Sequence, residues 1–382
     1  MTGARPLRAL LVDPSLYTAP YDAALTEGLV AAGVQPSWAV RPTRRGDRQE
    51  IDARYVDDFF YRRVERMTFL PGPLRTIAKG VAHTLGLARL VLRVLVRKPD
   101  VVHFQWLVVP PLDALAIRFI GRRCPVVITV HDTIPFNGDR LSRLQNLAFD
   151  LPMRLSDRVI VHTEAGRDRL VQRGLPDRKV AVVPHGPLRL HATPSEKALS
   201  PRTDPRRTFV MFGEIKHYKG PDLLVEAVGL LAPEVRRRAR FVVAGRPRMD
   251  LTPVLARIAQ LGLDDTVEVW ARRLTEPEMA DLFAQTDCFV FPYRQIDASG
   301  VYFLTKSFRK WVIASRVGIF AEDIEDGVQG SLVPPEDPAA LARAITVAIA
   351  SELSPTSTSP TSAWLDIGQA TRDVYQQARA RG

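Results

Sequence analysis

The chain has 382 residues, 46% hydrophobic and 25% charged, which excludes disordered and fibrous classes and makes two domains the default expectation. Its 53 Lys and Arg outweigh 42 Asp and Glu, and the net +11 suits a phosphorylated small molecule, an anionic membrane surface or nucleic acid as partner. Cys124 and Cys288 lie far apart in apolar runs with no C-x-x-C pair, so they read as core residues in a reducing, cytoplasmic compartment rather than as a disulfide or metal ligands.

Met1 to Arg8 lacks the apolar core of a signal peptide, and no apolar run is long enough to span a bilayer. ALLVD (9–13) reads instead as a first buried strand, followed by a helix over DAALTEGLVAAGV (22–34). LRTIAKGVAHTLGLARLVLRVLVRK (74–98) contains no acid. Its Arg75, Lys79, Arg89, Arg93 and Arg97 fall on one helical face, with leucines and valines opposite. That pattern suits either a core-packed helix with a solvated basic face or a helix docked on anionic lipid, aided by Phe59, Phe60 and Tyr61. DVVHFQWL (100–107), PVVITVHD (125–132), DRVIVHT (157–163) and KVAVVPHG (179–186) are further β-branched runs separated by helical segments. Together they predict a parallel sheet covered on both faces.

Residues 191–207 are polar, Pro-rich and aperiodic, and read as a linker. The alternation then restarts with strands expected in TFVMFGEI (208–215), ARFVVAGRP (239–247), DTVEVWA (265–271) and DCFVFPY (287–293). Helices are expected over 222–232, 252–262 and 275–285. A Ser/Thr/Pro loop and an amphipathic helix fill 351–382, and that helix is expected to cross back to the first domain. The architecture is α/β: two Rossmann-like parallel-sheet domains, 1–190 and 208–350, facing a central cleft.

In such sheets ligands bind beyond the carboxyl ends of the strands. FGEIKHYKG (212–220) leaves a strand at Gly213 and sets Lys216 and Lys219 ahead of a Gly-Pro-Asp helix start, a backbone and charge pattern suited to a pyrophosphate. VVAGRP repeats strand, glycine and cation with Arg246. In FPYRQIDASGVYF, Ser299 is placed to cap a helix whose first amides, Gly300 and Val301, would face an anion. Asp297, just before them, is better suited to sugar hydroxyls than to phosphate.

These stretches, with IASRVGIFAEDIEDGVQGSLVPPEDPAALARAI, resemble the donor domain of a GT-B glycosyltransferase over roughly residues 205–345, closest to glycosyltransferase family 4 and its relatives in bacterial exopolysaccharide assembly. The first half resembles it more loosely, through DVVHFQW, VVITVHDTIPF and DRVIVHTEAGRDRL. The resemblance implies transfer of a sugar from a nucleotide sugar without a metal or other cofactor and with retained anomeric configuration. It places Gly213, Lys219 and Lys216 on the donor diphosphate, with the amides of Ser299, Gly300 and Val301. His131 would face the donor sugar, Arg272 would lie where the nucleobase is held, and the catalytic set would be His131, Asp297 and Lys219. The chain departs from the family where paired glutamates are usual. Asp297 stands near the first, Thr305 or Leu304 occupies the second, and Trp311 replaces the proline of the usual glycine-x-proline.

His103, His131, His162 and His185 all fall near strand ends, but not at metal-ligand spacing, so no metal site is expected. Tyr17, Tyr21, Asp132 and His185 are the acceptor-side candidates, and Asp13, Asp22 or Asp132 would serve as base if the reaction inverts. The leading expectation is a glycosyltransferase using a GDP- or UDP-linked sugar on a saccharide acceptor, lipid-linked and at the cytoplasmic membrane face. Its rivals are a GT-B sugar-nucleotide epimerase or hydrolase, and a catalytically silent basic protein binding membrane or nucleic acid. Basic residues mixed with aliphatics rather than stacking aromatics argue against nucleic acid.

Overall fold

The computed structural model describes residues 5–44, 46–66, 71–133, 148–200, 202, 204–353 and 363–380. Most of the Ser/Thr/Pro loop and the IPF part of VVITVHDTIPF fall outside them. The chain divides into two compact units, the first ending at Gly186 but also holding the C-terminal helix, the second starting at Pro187.

The first unit is a seven-stranded sheet: β1 (Leu7–Asp13), β2 (Val34–Val40), β3 (Val56–Asp58), β4 (Val101–Phe104), β5 (Val126–Thr129), β6 (Arg158–Val161) and β7 (Val180–Val182), in the order β3-β2-β1-β4-β5-β6-β7. Every pairing is parallel, so the strands are buried on both faces and their near-continuous Val/Ile/Leu runs follow. The first helix, α1 (Ala19–Ala31), begins three residues before the expected span and ends ahead of Gly33. β2 was not expected, because Pro36 interrupts its apolar pattern. The 26-residue helix α2 (Gly72–Arg97) and α3 (Pro110–Ile120) pack against each other.

The faces of α2 differ from expectation. Its buried side carries His83, Leu87, Leu90 and Val94, and it covers Phe59, Phe60 and Tyr61, which are core residues rather than membrane-facing aromatics. Gly86 makes the notch: a Cβ there would lie 2.5 Å from the Phe60 ring. His83 closes the seam, bonded to the Tyr61 hydroxyl at 2.9 Å and to the Asp113 carboxylate at 2.8 Å.

The second unit holds β8 (Arg207–Phe212), β9 (Ala239–Ala244), β10 (Val267–Trp270), β11 (Cys288–Phe291), β12 (Trp311–Ser315) and β13 (Gly330–Val333), again all parallel, in the order β10-β9-β8-β11-β12-β13. The stretch expected to be a linker instead runs along this unit. Leu188 N–H donates to the Phe303 carbonyl at 3.1 Å, Ser195 bonds Asp281, and Arg202 grips Asp287 with both nitrogens. Trp311 starts a strand and does not end a helix. Arg309 adopts a left-handed φ of 50° where the family's glycine would stand. Both cysteines are buried and free.

The C-terminal helix (Ala363–Arg379) crosses α1 with their backbones in close approach. A Cβ on Gly28 would lie 2.1 Å from the Trp364 carbonyl oxygen, and one on Gly368 2.1 Å from the Gly28 carbonyl oxygen.

Candidate functional site

In the second sheet the strand order reverses direction between β8 and β11, the position where ligands of open α/β sheets bind. The loops leaving these two strands are stitched together. Gly220 sits at φ 71°, and a Cβ there would lie 2.2 Å from the Pro292 carbonyl oxygen, so only glycine fits without strain. Arg294 N–H donates to the Tyr218 carbonyl at 2.7 Å, and its guanidinium reaches the His217 carbonyl at 2.8 Å and both Asp222 oxygens at 3.0 and 2.6 Å. This clasp was not anticipated, since Arg294 and Asp222 are 72 positions apart.

The clasp brings Gly213, Lys219 and Val301 together. A Cβ on Gly213, whose φ is 112°, would meet Lys219 Nζ at 2.7 Å and Val301 Cγ2 at 2.8 Å. Lys219 is 94% buried with its ammonium 5.5 Å from the centre of the Tyr293 ring. No carboxylate pairs with it among the described residues; Glu214 is committed to Arg248 at 2.8 Å and Lys216 at 3.6 Å. Burial, reinforced by the Lys216 charge, pushes the Lys219 ammonium down to about 8. A cation in this state lacks its anion.

Ser299 caps the short helix Gly300–Lys306, its hydroxyl accepting the Tyr302 amide at 3.4 Å. The first two amides, Gly300 and Val301, have no intrahelical acceptor. The other predicted donor residues scatter. Arg246 is exposed on the loop after β9, its carbonyl accepting Ile215 N–H at 2.9 Å. Arg272 follows the edge strand β10 and is bound to Glu278 at 2.7 Å. Asp297 is 96% buried, and its backbone carbonyl accepts Ile319 N–H at 2.9 Å.

The first sheet reverses between β1 and β4, and there a ring cluster forms around Tyr21. The ring centres of His131, His162, His185 and Trp364 all lie between 4.8 and 5.4 Å from it. His162 Nδ1–H donates to the Val183 carbonyl at 3.0 Å, and His162 Nε2 and His131 Nδ1 share a hydrogen bond of 3.0 Å. His131 Nε2 lies 3.1 Å from the Gln105 side-chain oxygen Oε1, while Trp106 stacks on the ring at 5.0 Å. Burial and the neighbouring histidines hold His131 and His185 well below the ordinary imidazole range, so both are neutral at pH 7. His103 sits apart, bonded at 2.7 Å to both Thr129 and Tyr375.

Of the base candidates, Asp13 and Asp22 are wholly buried against each other and cannot reach an acceptor. Asp13 accepts the amides of Ser15 at 3.1 Å and Tyr17 at 2.8 Å, and burial still raises it to about 6. Burial and the Asp13 charge raise Asp22 further, so it keeps its proton and Asp13 takes the charge. Asp132 is half-buried, and Tyr17 is 64% exposed against Trp106. Neither Gln105 nor Trp364 carried a signal in the sequence.

Two parallel sheets of this order, the second with a buried cation at its reversal point, define a GT-B glycosyltransferase fold. Residues 23–186 match the family Glycosyltransferase Family 4, and residues 206–351 match the family Glycosyl transferases group 1. Together the two matches take in most of the chain, which belongs to the GT-B glycosyltransferases. It is 30% identical over 203 residues to a D-inositol 3-phosphate glycosyltransferase of Streptomyces bingchenggensis, covering 49% of this chain and 44% of that protein. It is 31% identical over 152 residues to the lipopolysaccharide core biosynthesis mannosyltransferase LpcC of Rhizobium leguminosarum bv. viciae, covering 36% of this chain and 40% of that protein. The chain thus spans less than half the length of these two relatives. In fold it is similar to Anabaena HepE in complex with UDP and glucose, with a TM-score of 0.66 at 18% identity over 97% of this chain and 95% of that one. Starch synthase IV of Arabidopsis thaliana bound to ADP and acarbose gives 0.65 at 12% identity over 99% and 100%.

Proposed function

We propose that the chain transfers a sugar from a nucleoside-diphosphate sugar, UDP- or GDP-linked, to a saccharide acceptor carried on a lipid at the cytoplasmic membrane face. The observation that carries this reading is Lys219, a buried ammonium with no carboxylate partner among the described residues, set against Gly213 and Val301 at the sheet's reversal point. A diphosphate supplies the missing charge. The bond from the anomeric carbon to the diphosphate oxygen breaks, the acceptor oxygen takes that carbon, and the acceptor proton is released. Charge accumulating on the departing diphosphate is met by Lys219 and by the amides of Gly300 and Val301, electrostatic help worth several kcal/mol in a dry site. His131, neutral and pinned by Gln105 and His162, contributes hydrogen bonding to the transferred sugar rather than a proton.

Titration calorimetry with UDP and with GDP tests this, beside a Lys219→Met variant. One nucleotide should bind, and the variant should lose about a hundredfold in affinity, the scale of a charged hydrogen bond. Absence of binding by either nucleotide at millimolar concentration sinks the diphosphate reading.

A further inference from the structure

The exposed side of α2 carries a second apolar face that the core does not use. Leu74, Ile77, Val81, Leu85, Leu92 and Val96 recur at helical spacing and are all exposed, Ile77 by 64% and Val96 by 80%. Ala78 and Ala88 fill the same stripe, which runs about 33 Å along the helix. Leu115 and Phe119 of the neighbouring α3 are exposed as well. A soluble surface rarely leaves so long a contiguous apolar strip uncovered.

The charge around this strip is of one sign. No acid occurs within α2. Arg75 and Lys79 share Glu65, and Arg93 is paired with Asp57 at 2.5 Å. Arg89, Arg97 and Lys98 have no carboxylate partner among the described residues, nor do Arg118, Arg122 and Arg123 at the end of α3. Among those residues, moreover, no helix is long and apolar enough to cross a bilayer. Arg89 and Arg122 lie over the Phe59 and Phe119 rings, and the chemistry that fits a shallow apolar strip bordered by cations without carboxylate partners is a layer of acyl chains beneath anionic headgroups. A two-fold pairing with a second copy would bring the same cations face to face, which disfavours it.

We propose that the α2–α3 face is a membrane-docking surface, with the Leu74–Val96 strip lying in the acyl boundary and Arg89, Arg97, Lys98 and the α3 arginines on anionic phospholipid headgroups. The surface belongs to the first unit alone and stands independently of the donor site.

The test is sedimentation of the full chain with vesicles of equimolar phosphatidylcholine and phosphatidylglycerol, against vesicles of phosphatidylcholine alone, without nucleotide. The expected result is binding to the anionic vesicles only, weakened by salt. A Leu85→Glu, Leu92→Glu double variant should lose at least about tenfold, and Arg97→Gln about fivefold. Both substitutions lie on exposed positions, so unchanged thermal unfolding serves as the folding control. Equal binding to both vesicle types, no binding to either, or binding indifferent to the strip variants overturns the proposal. So does a stable dimer in light scattering that the same leucine variants dissolve, since the strip would then belong to a second copy.

Discussion

The two sheet edges solve opposite problems. At the β8–β11 reversal a cation is buried with a glycine, an aromatic ring and two open amides around it, and no acid neutralises it. At the β1–β4 reversal there are more ionisable groups, yet most stay uncharged: Asp22 keeps its proton beside Asp13, and burial holds His103, His131 and His185 neutral. Among the described residues, one reversal point leaves a buried cation without a counter-charge, the other holds its charge to a single buried carboxylate.

The comparison can be broken most forcefully at Gly220. Alanine there would press a Cβ into the Pro292 carbonyl and hold a left-handed φ, and should cost about 4 kcal/mol of stability in denaturant unfolding. A change of less than about 1 kcal/mol would mean the two loops are not clasped as described. Lys219→Met should act in the opposite direction on stability. An ammonium held at about 8, against 10.5 ordinarily, opposes folding at neutral pH, so its removal should raise stability by up to roughly 3 kcal/mol while nucleotide binding is lost. An unchanged midpoint would show that the cation is already satisfied.

The same group sharpens the contrast through pH. Because its native pKa is lowered, the wild-type protein should gain stability as pH rises from about 8 towards 10.5, where the unfolded chain still holds the proton. Nucleotide affinity should run the other way, level below about 8 and falling up to about tenfold per pH unit above it. Calorimetry in buffers of different ionisation heat should register proton uptake on binding there.

The smallest effect is expected at the other edge. Asp22→Asn keeps a donor towards Asp13, and the native acid is raised well above 3.8 by burial and its neighbour. The variant should therefore be about 1 kcal/mol more stable than wild type at neutral pH, with the difference vanishing as pH falls towards 4. Equal stability across that range would show that Asp22 ionises normally.

The residues that meet at the β8–β11 reversal were visible in the sequence because they are local. Gly213, Lys216 and Lys219 lie within one turn of chain, and Ser299 to Val301 within another. What it lacked was Arg294 meeting Asp222, a pairing no local pattern announces. The histidines of the first unit were visible at their strand ends, but Tyr21 as their hub and Trp364 as their lid come from distant segments. The inward face of α2 was not legible for a different reason. A helix apolar on two sides offers no periodicity by which to choose the inward one, and that choice depends on Gly86 admitting Phe60 and on His83 meeting Asp113. Strand β2 was hidden by a single proline.

The crossing of α1 by the C-terminal helix has a consequence for biosynthesis. Trp364 closes over Tyr21, and Tyr375 bonds His103, so groups laid down early in translation wait for the last part of the chain to find their partners. Until the Ala363–Arg379 segment has left the ribosome, the glycine face of α1 is bare and His103 is buried without its phenolic partner. The second unit takes nothing from that helix, so only the first unit's completion is tied to it.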